Sequence, residues 1–284
     1  MDFRLDRLAT LYVVSPLLHL GSRGEQSIPI LMYHSIADED ESNAHPYYRT
    51  TTSPAMFAAH LKYLHEGGYK TCSLAQAMCH LLGEPQTSAK FVVITFDDGY
   101  RDFYRAAFPV LNQYGFSAMV FLPTAYIGDN PIPFKGKDCL AWSEVRELNK
   151  YGTLFGSHTV THPQLRELSI PAIQEEIVNS KKTIEEKMGC PVDCFAYPFA
   201  FPEENVSFVR MVRATLIEAG YRLGVSTRIG MARQQEDCYF LPRLPMNSMD
   251  DIPLFDAKLQ GGYDWLHSLQ YASKFIKARV LSHD

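Results

Sequence analysis

The sequence has no low-complexity tract, no internal repeat and no long run of like charges, so a repeat array or a charged interaction tail is excluded. Basic residues are not in excess. Against 32 Asp and Glu stand 27 Lys and Arg, a net charge of −5 that argues against a nucleic-acid surface. The six cysteines (Cys72, Cys79, Cys139, Cys190, Cys194 and Cys238) form no CxxC and no dense framework. They read as mostly buried free thiols of a reducing compartment, which points to a cytoplasmic location with export as the alternative. A metal-bound Cys190–Cys194 pair lacks a second pair at matching spacing. Long apolar runs are also scarce. Leu8 to Leu20 is too short to span a bilayer. It follows Arg4 and Arg7 as a signal peptide would, but Asp2 and Asp6 dilute the positive end. Pro16 and His19 interrupt the run, and no small-x-small site follows. It is expected to be a helix packed on the domain or on a membrane face, which would give weak membrane association.

What is present is an ordinary globular balance: 284 residues, 46% hydrophobic and 21% charged, enough to bury a sizeable core. Residues 1–27 are expected to form an N-terminal helical extension and 28–284 one domain. Short apolar strands alternate with amphipathic helices. Ile28–Tyr33 reads as a strand, and Lys90–Phe96 is the strongest strand signal, a β-branched run that ends in Asp-Asp-Gly. Phe116–Leu122, Thr153–Ser157, Cys194–Tyr197, Tyr221–Ser226 and a segment near Leu241 continue the strands. Ser53-Pro54 opens a helix that Gly67-Gly68 ends, and Ser73 with Gln76 has capping-box spacing. Arg101–Tyr114, Trp142–Lys150, Glu204–Gly220 and Tyr263–Leu281 are expected helices. So is Pro171–Met188, with Ile173, Ile177, Ile184 and Met188 on one stripe, closed by Gly189. This alternation implies a largely parallel sheet with helices outside it and functional residues at the carboxyl ends of the strands.

The polar clusters lie where strands end. Asp97 and Asp98 follow an apolar strand, so their side chains should point to different sides, and Gly99 permits a tight turn. Alone, the dipeptide is as readily a solvated loop or a helix N-cap. His158 and His162, at i and i+4, would face the same way on a helical turn and could share one metal. Alone, such a pair is more often two surface or satisfied core histidines. Together, two histidines and one carboxylate at the same end of a sheet make an open, catalytic kind of metal site, because structural zinc sites are closed by four protein ligands.

Thr95-Phe96-Asp97-Asp98-Gly99 and His158-Thr159-Val160-Thr161-His162, in that order and separation, resemble the first two motifs of the polysaccharide deacetylases, carbohydrate esterase family 4. The resemblance covers roughly Ile28 to Pro245. It implies an irregular (β/α) barrel of seven strands and a metal-dependent hydrolase that removes N-acetyl groups from an N-acetylglucosamine-containing poly- or oligosaccharide. Asp97 would be the general base. Asp98, His158 and His162 would hold one divalent ion, Zn first, with Co or Ni also suited. The later motifs depart from the family pattern. Phe195-Ala196-Tyr197-Pro198-Phe199 lacks the Arg that usually precedes the Pro, and no Leu-x-His stands near the C-terminus, where His267 and His283 read as surface residues. Leu31-Met32-Tyr33-His34 instead resembles the poly-N-acetylglucosamine deacetylase branch, whose motif order is circularly permuted. That makes His34 the general acid. Arg243, in Leu241-Pro242-Arg243-Leu244-Pro245, could replace the missing Arg and orient Asp97, or pair with any surface carboxylate. Tyr197, Pro198 and Phe199 would line a sugar groove, and a backbone N–H near Tyr100 would meet the oxyanion.

Two other readings remain. The same fold serves hydrolases of other non-peptide C–N bonds, such as small cyclic amides, which release no acetate. A non-catalytic carbohydrate-binding protein would have no need of Asp97, Asp98, His158 and His162 together. His19, His45, His60, His65 and His80 lack a partner at useful spacing and read as structural or solvated. The sequence carries no signal for oligomeric state.

Overall fold

The computed structural model describes residues 4–20, 26–83 and 89–271. Seven strands form its centre: β1 (Ile30–Tyr33), β2 (Lys90–Phe96), β3 (Met119–Leu122), β4 (Leu154–Ser157), β5 (Cys194–Ala196), β6 (Leu223–Ile229) and β7 (Leu241–Pro245). Each pairs in parallel with the next, and β7 returns to pair with β1, so the sheet closes in sequence order. This is the expected (β/α)7 barrel. It is irregular: β4 meets β5 only at Ser157 and Phe195, and the β6–β7 register shifts between Val225 and Ile229. A short strand, Tyr69–Thr71, pairs with the start of β2.

The surrounding helices are α1 (Pro54–Glu66), α2 (Leu74–Leu82), α3 (Phe108–Gln113), α4 (Trp142–Lys150), α5 (Ile170–Met188), α6 (Val206–Glu218) and α7 (Ile252–Leu259). Their ends follow local chemistry. The Ser53 hydroxyl accepts from the Met56 N–H at 3.2 Å, and Pro54 takes the first helical turn. Ser73 and Gln76 make both bonds of a capping box. Gly189 closes α5 in a left-handed conformation, φ 69°. The expected helix from Arg101 is broken up: a π-turn over Phe103–Ala107 leads into α3 at Pro109, whose ring cannot continue a regular ladder. Tyr263 and Asp264 form a turn and residues 265–271 are helical; the expected final helix beyond 271, and His283, lie outside the described residues.

Alternate strand residues bury into two apolar layers. Leu31, Ile94, Val120, Leu122, Phe195 and Leu244 pack outward against α1, α4, α5 and α6 through Leu61, Leu148, Ile177 and Leu216. Ile30, Val93, Phe121, Ala196, Val225 and Leu241 share the other cluster with Leu74, Ala77 and Met78 of α2. The two-residue alternation of a strand feeds both layers at once. Gly224 on β6 shows how tight this is. A Cβ there would lie 2.2 Å from the Tyr239 carbonyl oxygen and 3.3 Å from that of Phe195. Backbone cannot swing aside as a side chain can. Gly224→Ala should therefore cost about 1–3 kcal/mol of stability in denaturant unfolding; a loss under about 0.5 kcal/mol would contradict this packing.

The N-terminal segment is helical over Leu5–Ala9 and Ser15–Leu20, with a π-turn over Thr10–Val14 between them. It packs on the domain. The Arg4 guanidinium donates to Asp250 at 3.2 Å and to the Tyr263 hydroxyl at 3.0 Å, and the Trp265 indole donates to Thr10 at 3.0 Å. Tyr12, Val13 and Leu17 stay exposed. No described helix is long and apolar enough to cross a membrane. The thiols are all free but less buried than expected. Cys72, Cys139 and Cys194 are buried, whereas Cys79 and Cys190 are exposed and Cys238 is half-buried. Cys79 lies on α2 off its buried stripe of Leu74, Ala77, Met78 and Leu81, and Cys190 follows Gly189, the residue that closes α5.

Candidate active site

The carboxyl ends of β1, β2, β4 and β7 bring His34, Asp97, Asp98, His158 and Arg243 together. β2 delivers two carboxylates in succession. Asp98 and Gly99 both take left-handed backbone conformations, φ 67° and 60°, so the chain turns sharply as the strand ends. Glycine adopts this at no cost, whereas aspartate is tolerated there at a modest one. The turn separates the two side chains, Asp97 toward Arg243 and Asp98 toward the histidines.

Arg243 is fully buried and grips Asp97 with both guanidinium ends, Nη1 to Oδ1 and Nη2 to Oδ2 at 2.7 Å each. Its Nε donates to the Ser226 carbonyl at 2.9 Å, and Nη1 also reaches the Thr95 hydroxyl at 3.2 Å. Such fork-to-fork pairing fixes the carboxylate plane as well as its charge. Burial alone pushes the Asp97 carboxyl up; Arg243, His158 and His34 outweigh it and hold the group below its ordinary range. On its other side Asp97 Oδ2 lies 4.0 Å from His34 Nε2. Burial pulls the His34 imidazole below its ordinary value, against the upward pull of Asp97 and Asp98.

His158 and His162 do not lie on a helical turn. The segment is a loop with Thr159 and His162 in left-handed conformations, φ 68° and 55°. It reverses because α5 supplies a partner: Glu176 accepts from the N–H groups of Val160 and Thr161 at 2.7 and 2.9 Å. The Thr159 hydroxyl accepts from the His162 N–H at 3.0 Å. The two imidazoles still converge, with ring centroids 4.7 Å apart. His158 Nδ1 donates to the Ala196 carbonyl at 2.8 Å, which leaves the lone pair on Nε2, 3.6 Å from Asp98 Oδ1. Burial also pulls His158 down to about 4, so it is neutral and can act as a ligand. His162 Nε2 lies 3.2 Å from the same Asp98 oxygen.

Asp98, His158 and His162 offer ligand atoms all within 4.8 Å of one another, the one such cluster among the described residues. Asp98 Oδ1 is buried with no hydrogen-bond donor. A buried carboxylate oxygen without a donor, facing two imidazole nitrogens, fits a cation. Three protein ligands leave positions open for water and substrate.

The sugar-facing residues need correction. Tyr197 and Pro198 are buried, and the Tyr197 ring packs edge-on to Phe201 at 5.2 Å. β5 ends one residue earlier than expected, so Tyr197 turns into the core. Phe199 alone of the three is exposed, at 42%, with its ring 4.6 Å from His162. Tyr100 is buried and bridges to Cys139. His267 pairs with Glu203 at 2.6 Å. Several residues were not singled out in the sequence: Glu176, and Phe134 with Lys135 on a hairpin over the site. Only the hairpin leaves a trace, a Gly at 136 between two short segments.

A closed parallel barrel with a two-histidine, one-carboxylate cluster beside a charge-paired carboxylate defines a class: metal-dependent barrel hydrolases. Residues 84–223 match the family model for polysaccharide deacetylases. YxkH of Bacillus subtilis (strain 168), named for that family, is 32% identical over 218 residues, 76% of this chain and 70% of its own. This chain belongs to the polysaccharide deacetylase family, whose members are divalent-metal hydrolases. The poly-beta-1,6-N-acetyl-D-glucosamine N-deacetylase of Escherichia coli (strain K12) is 33% identical over 140 residues, 45% of this chain but only 20% of that longer enzyme. In fold, the Streptococcus pyogenes deacetylase PplD, solved in complex with acetate, superposes with a TM-score of 0.71 at 24% identity. The match covers 83% of this chain and 99% of that one.

Proposed function

We propose that this chain hydrolyses the N-acetyl group of an N-acetylglucosamine-containing poly- or oligosaccharide, releasing acetate and leaving a free amino sugar. The observation that carries the reading is the division of labour between neighbouring carboxylates: Asp97 is locked by Arg243, and Asp98 is grouped with His158 and His162. The Escherichia coli relative, named for a β-1,6-linked polymer, supports the substrate class.

Asp98, His158 and His162 would hold one divalent ion, Zn first, with Co or Ni also suited to two histidines and a carboxylate. Such an ion, when bound, supplies Lewis acidity toward the acetamide carbonyl and acidifies water. Asp97, ionised at neutral pH, takes the proton of the attacking water. Arg243 positions it by holding both oxygens. His34, on the far side of Asp97 and neutral at rest, would take up the proton that Asp97 removes from the water and pass it to the departing nitrogen, which is otherwise a very poor leaving group. A backbone N–H at Tyr100 would stabilise the oxyanion. Phe199 would stack on a sugar ring, its exposed face being suited to one.

Acetate release should be followed with β-1,4- and β-1,6-linked N-acetylglucosamine oligomers, using protein stripped of metal and reloaded with Zn, Co or Ni. Metal-restored release is expected. No release by protein that binds metal stoichiometrically would reject the deacetylase reading. His158→Ala should lose stoichiometric metal and with it all turnover, because its Nε2 has no substitute at that position. A metal-free but fully active His158→Ala protein would sink the ligand assignment.

A further inference from the structure

Over the site stands a hairpin, Pro133–Phe134 paired with Lys137–Asp138, turned by Lys135 and Gly136 at φ 52° and 82°. Two-residue turns with both φ positive favour Asn and Gly, and a lysine there is strained by about 1 kcal/mol. The hairpin is firmly seated. The Lys137 ammonium contacts Glu39 at 2.7 Å, Ser35 at 2.8 Å and Thr51 at 3.2 Å. Asp138 and Leu140 exchange backbone bonds with Arg101 and Gly99 at 2.8 and 2.9 Å. The backbone at the tip is therefore held in a fixed place.

The Lys135 side chain is aimed at the site mouth. The Lys135 ammonium lies 3.4 Å from Asp98 Oδ2, 4.6 Å from the Phe134 ring centroid and 5.4 Å from that of Phe199. Both rings border His162. The side chain is 45% exposed, so its charge reaches solvent where a saccharide must enter. A cation on Asp98 would take up that carboxylate's charge. The ammonium is then no longer neutralised by Asp98 and adds to the positive charge of a divalent centre facing outward, with aromatic faces limiting the water that screens it.

We propose that Lys135 is a specificity-determining residue that selects saccharides carrying an anionic group, carboxylate or phosphate, on the sugar flanking the reacting N-acetylated one. This rests on the deacetylase reading above and adds the charge class of the substrate to it. A strained lysine on a seated hairpin, facing the site and sandwiched between aromatic rings, has that chemistry: an ammonium recognises an anion as a point charge, and the rings accept the sugar faces beside it.

The test compares kcat/KM for acetate release from a neutral N-acetylglucosamine oligomer and from the same oligomer bearing one carboxylate or one phosphate on the neighbouring sugar. Wild type should prefer the anionic oligomers by about fivefold or more, the size of a charge pair near 4 Å in water, with the preference shrinking in salt. The carboxylate and phosphate arms show which source of charge it reads. Lys135→Arg should keep the preference, Lys135→Met should bring the ratio to about one, and Lys135→Glu should invert it. Binding of the same oligomers to Asp97→Asn protein, with and without Lys135→Met, gives the selection without turnover. An equal ratio in wild type and Lys135→Met, or a wild-type preference for the neutral oligomer, overturns the proposal. Absence of acetate from every oligomer, with the binding preference intact, would remove the deacetylase reading and leave Lys135 as an anion selector.

Discussion

Asp97→Asn should lower kcat for acetate release by about 10²–10⁴-fold, the usual contribution of a positioned general base, while stoichiometric metal is retained. The two halves of this expectation come from one geometric fact. Asp97 and Asp98 are neighbours in the chain, but the left-handed turn at Asp98 sends Asp98 alone to both histidines, while Asp97 reaches only His158, at 3.9 Å. Both Asp97 oxygens are taken by Arg243 at 2.7 Å, with His34 4.0 Å away. An amide at position 97 can still accept from Arg243 through its carbonyl oxygen, so the site keeps its shape. It cannot take a proton from water. Metal content measured beside kcat separates the roles. If the variant lost its metal, Asp97 would be a ligand; if it kept full kcat, another group would be the base. Some loss of stability is expected as well, because Arg243 would then carry a buried charge without its counter-ion.

Arg243→Met should destabilise the fold by about 3–5 kcal/mol at neutral pH, the typical cost of removing one partner of a buried ion pair, and should cut kcat sharply. The guanidinium is wholly buried, and its replacement leaves the buried Asp97 with only the imidazoles of His34 and His158, 4.0 and 3.9 Å away, in place of a full counter-charge. The sign with pH follows from linkage. In wild type the folded Asp97 carboxyl lies below its ordinary value, so its contribution to stability is present above about pH 4 and is lost as pH falls through the lower folded value. The variant has no such contribution to lose. Without Arg243, burial is left as the strongest influence, and the Asp97 carboxyl moves up. The stability gap between the two proteins should therefore shrink as the solution is made acidic. Denaturant unfolding at neutral and acid pH checks this; a gap independent of pH would mean that Asp97 is not the group Arg243 stabilises. Combining Arg243→Met with Asp97→Asn should recover part of the lost stability but none of the activity, since the neutral pair removes the stranded charge and the base together.

Much of this was legible in the chain itself. The strands and helices are written as local patterns: a β-branched run at Val92–Ile94, an apolar stripe along α5, and serine caps at Ser53 and Ser73. So are the two metal-site motifs, because each comprises residues close in sequence at the end of one strand. The expectation that both would reach the same end of the sheet followed from parallel alternation alone.

What the chain alone left open depends on closure. Arg243 meets Asp97 across 146 positions because β7 pairs back onto β1, which in turn pairs with β2, and only a closed barrel brings those carboxyl ends round to one another. Sequence left Arg243 a choice between Asp97 and any surface carboxylate; tertiary structure pairs it with Asp97. The histidine pair shows the same limit in reverse. Its spacing suggested a helical turn, but the loop conformation is set by Glu176 of α5, a partner that no local pattern marks. Tyr197 looked like a groove residue and is buried against Phe201, and Lys135, which no local pattern marks, stands at the mouth of the site. The amino-acid sequence by itself determined the elements, the candidate base and the candidate metal ligands, because those are encoded over a few residues. The pairing of charges, the shape of the ligand loop and the residues that face the substrate were decided by the tertiary structure, because they depend on which distant surfaces the closing barrel presses together.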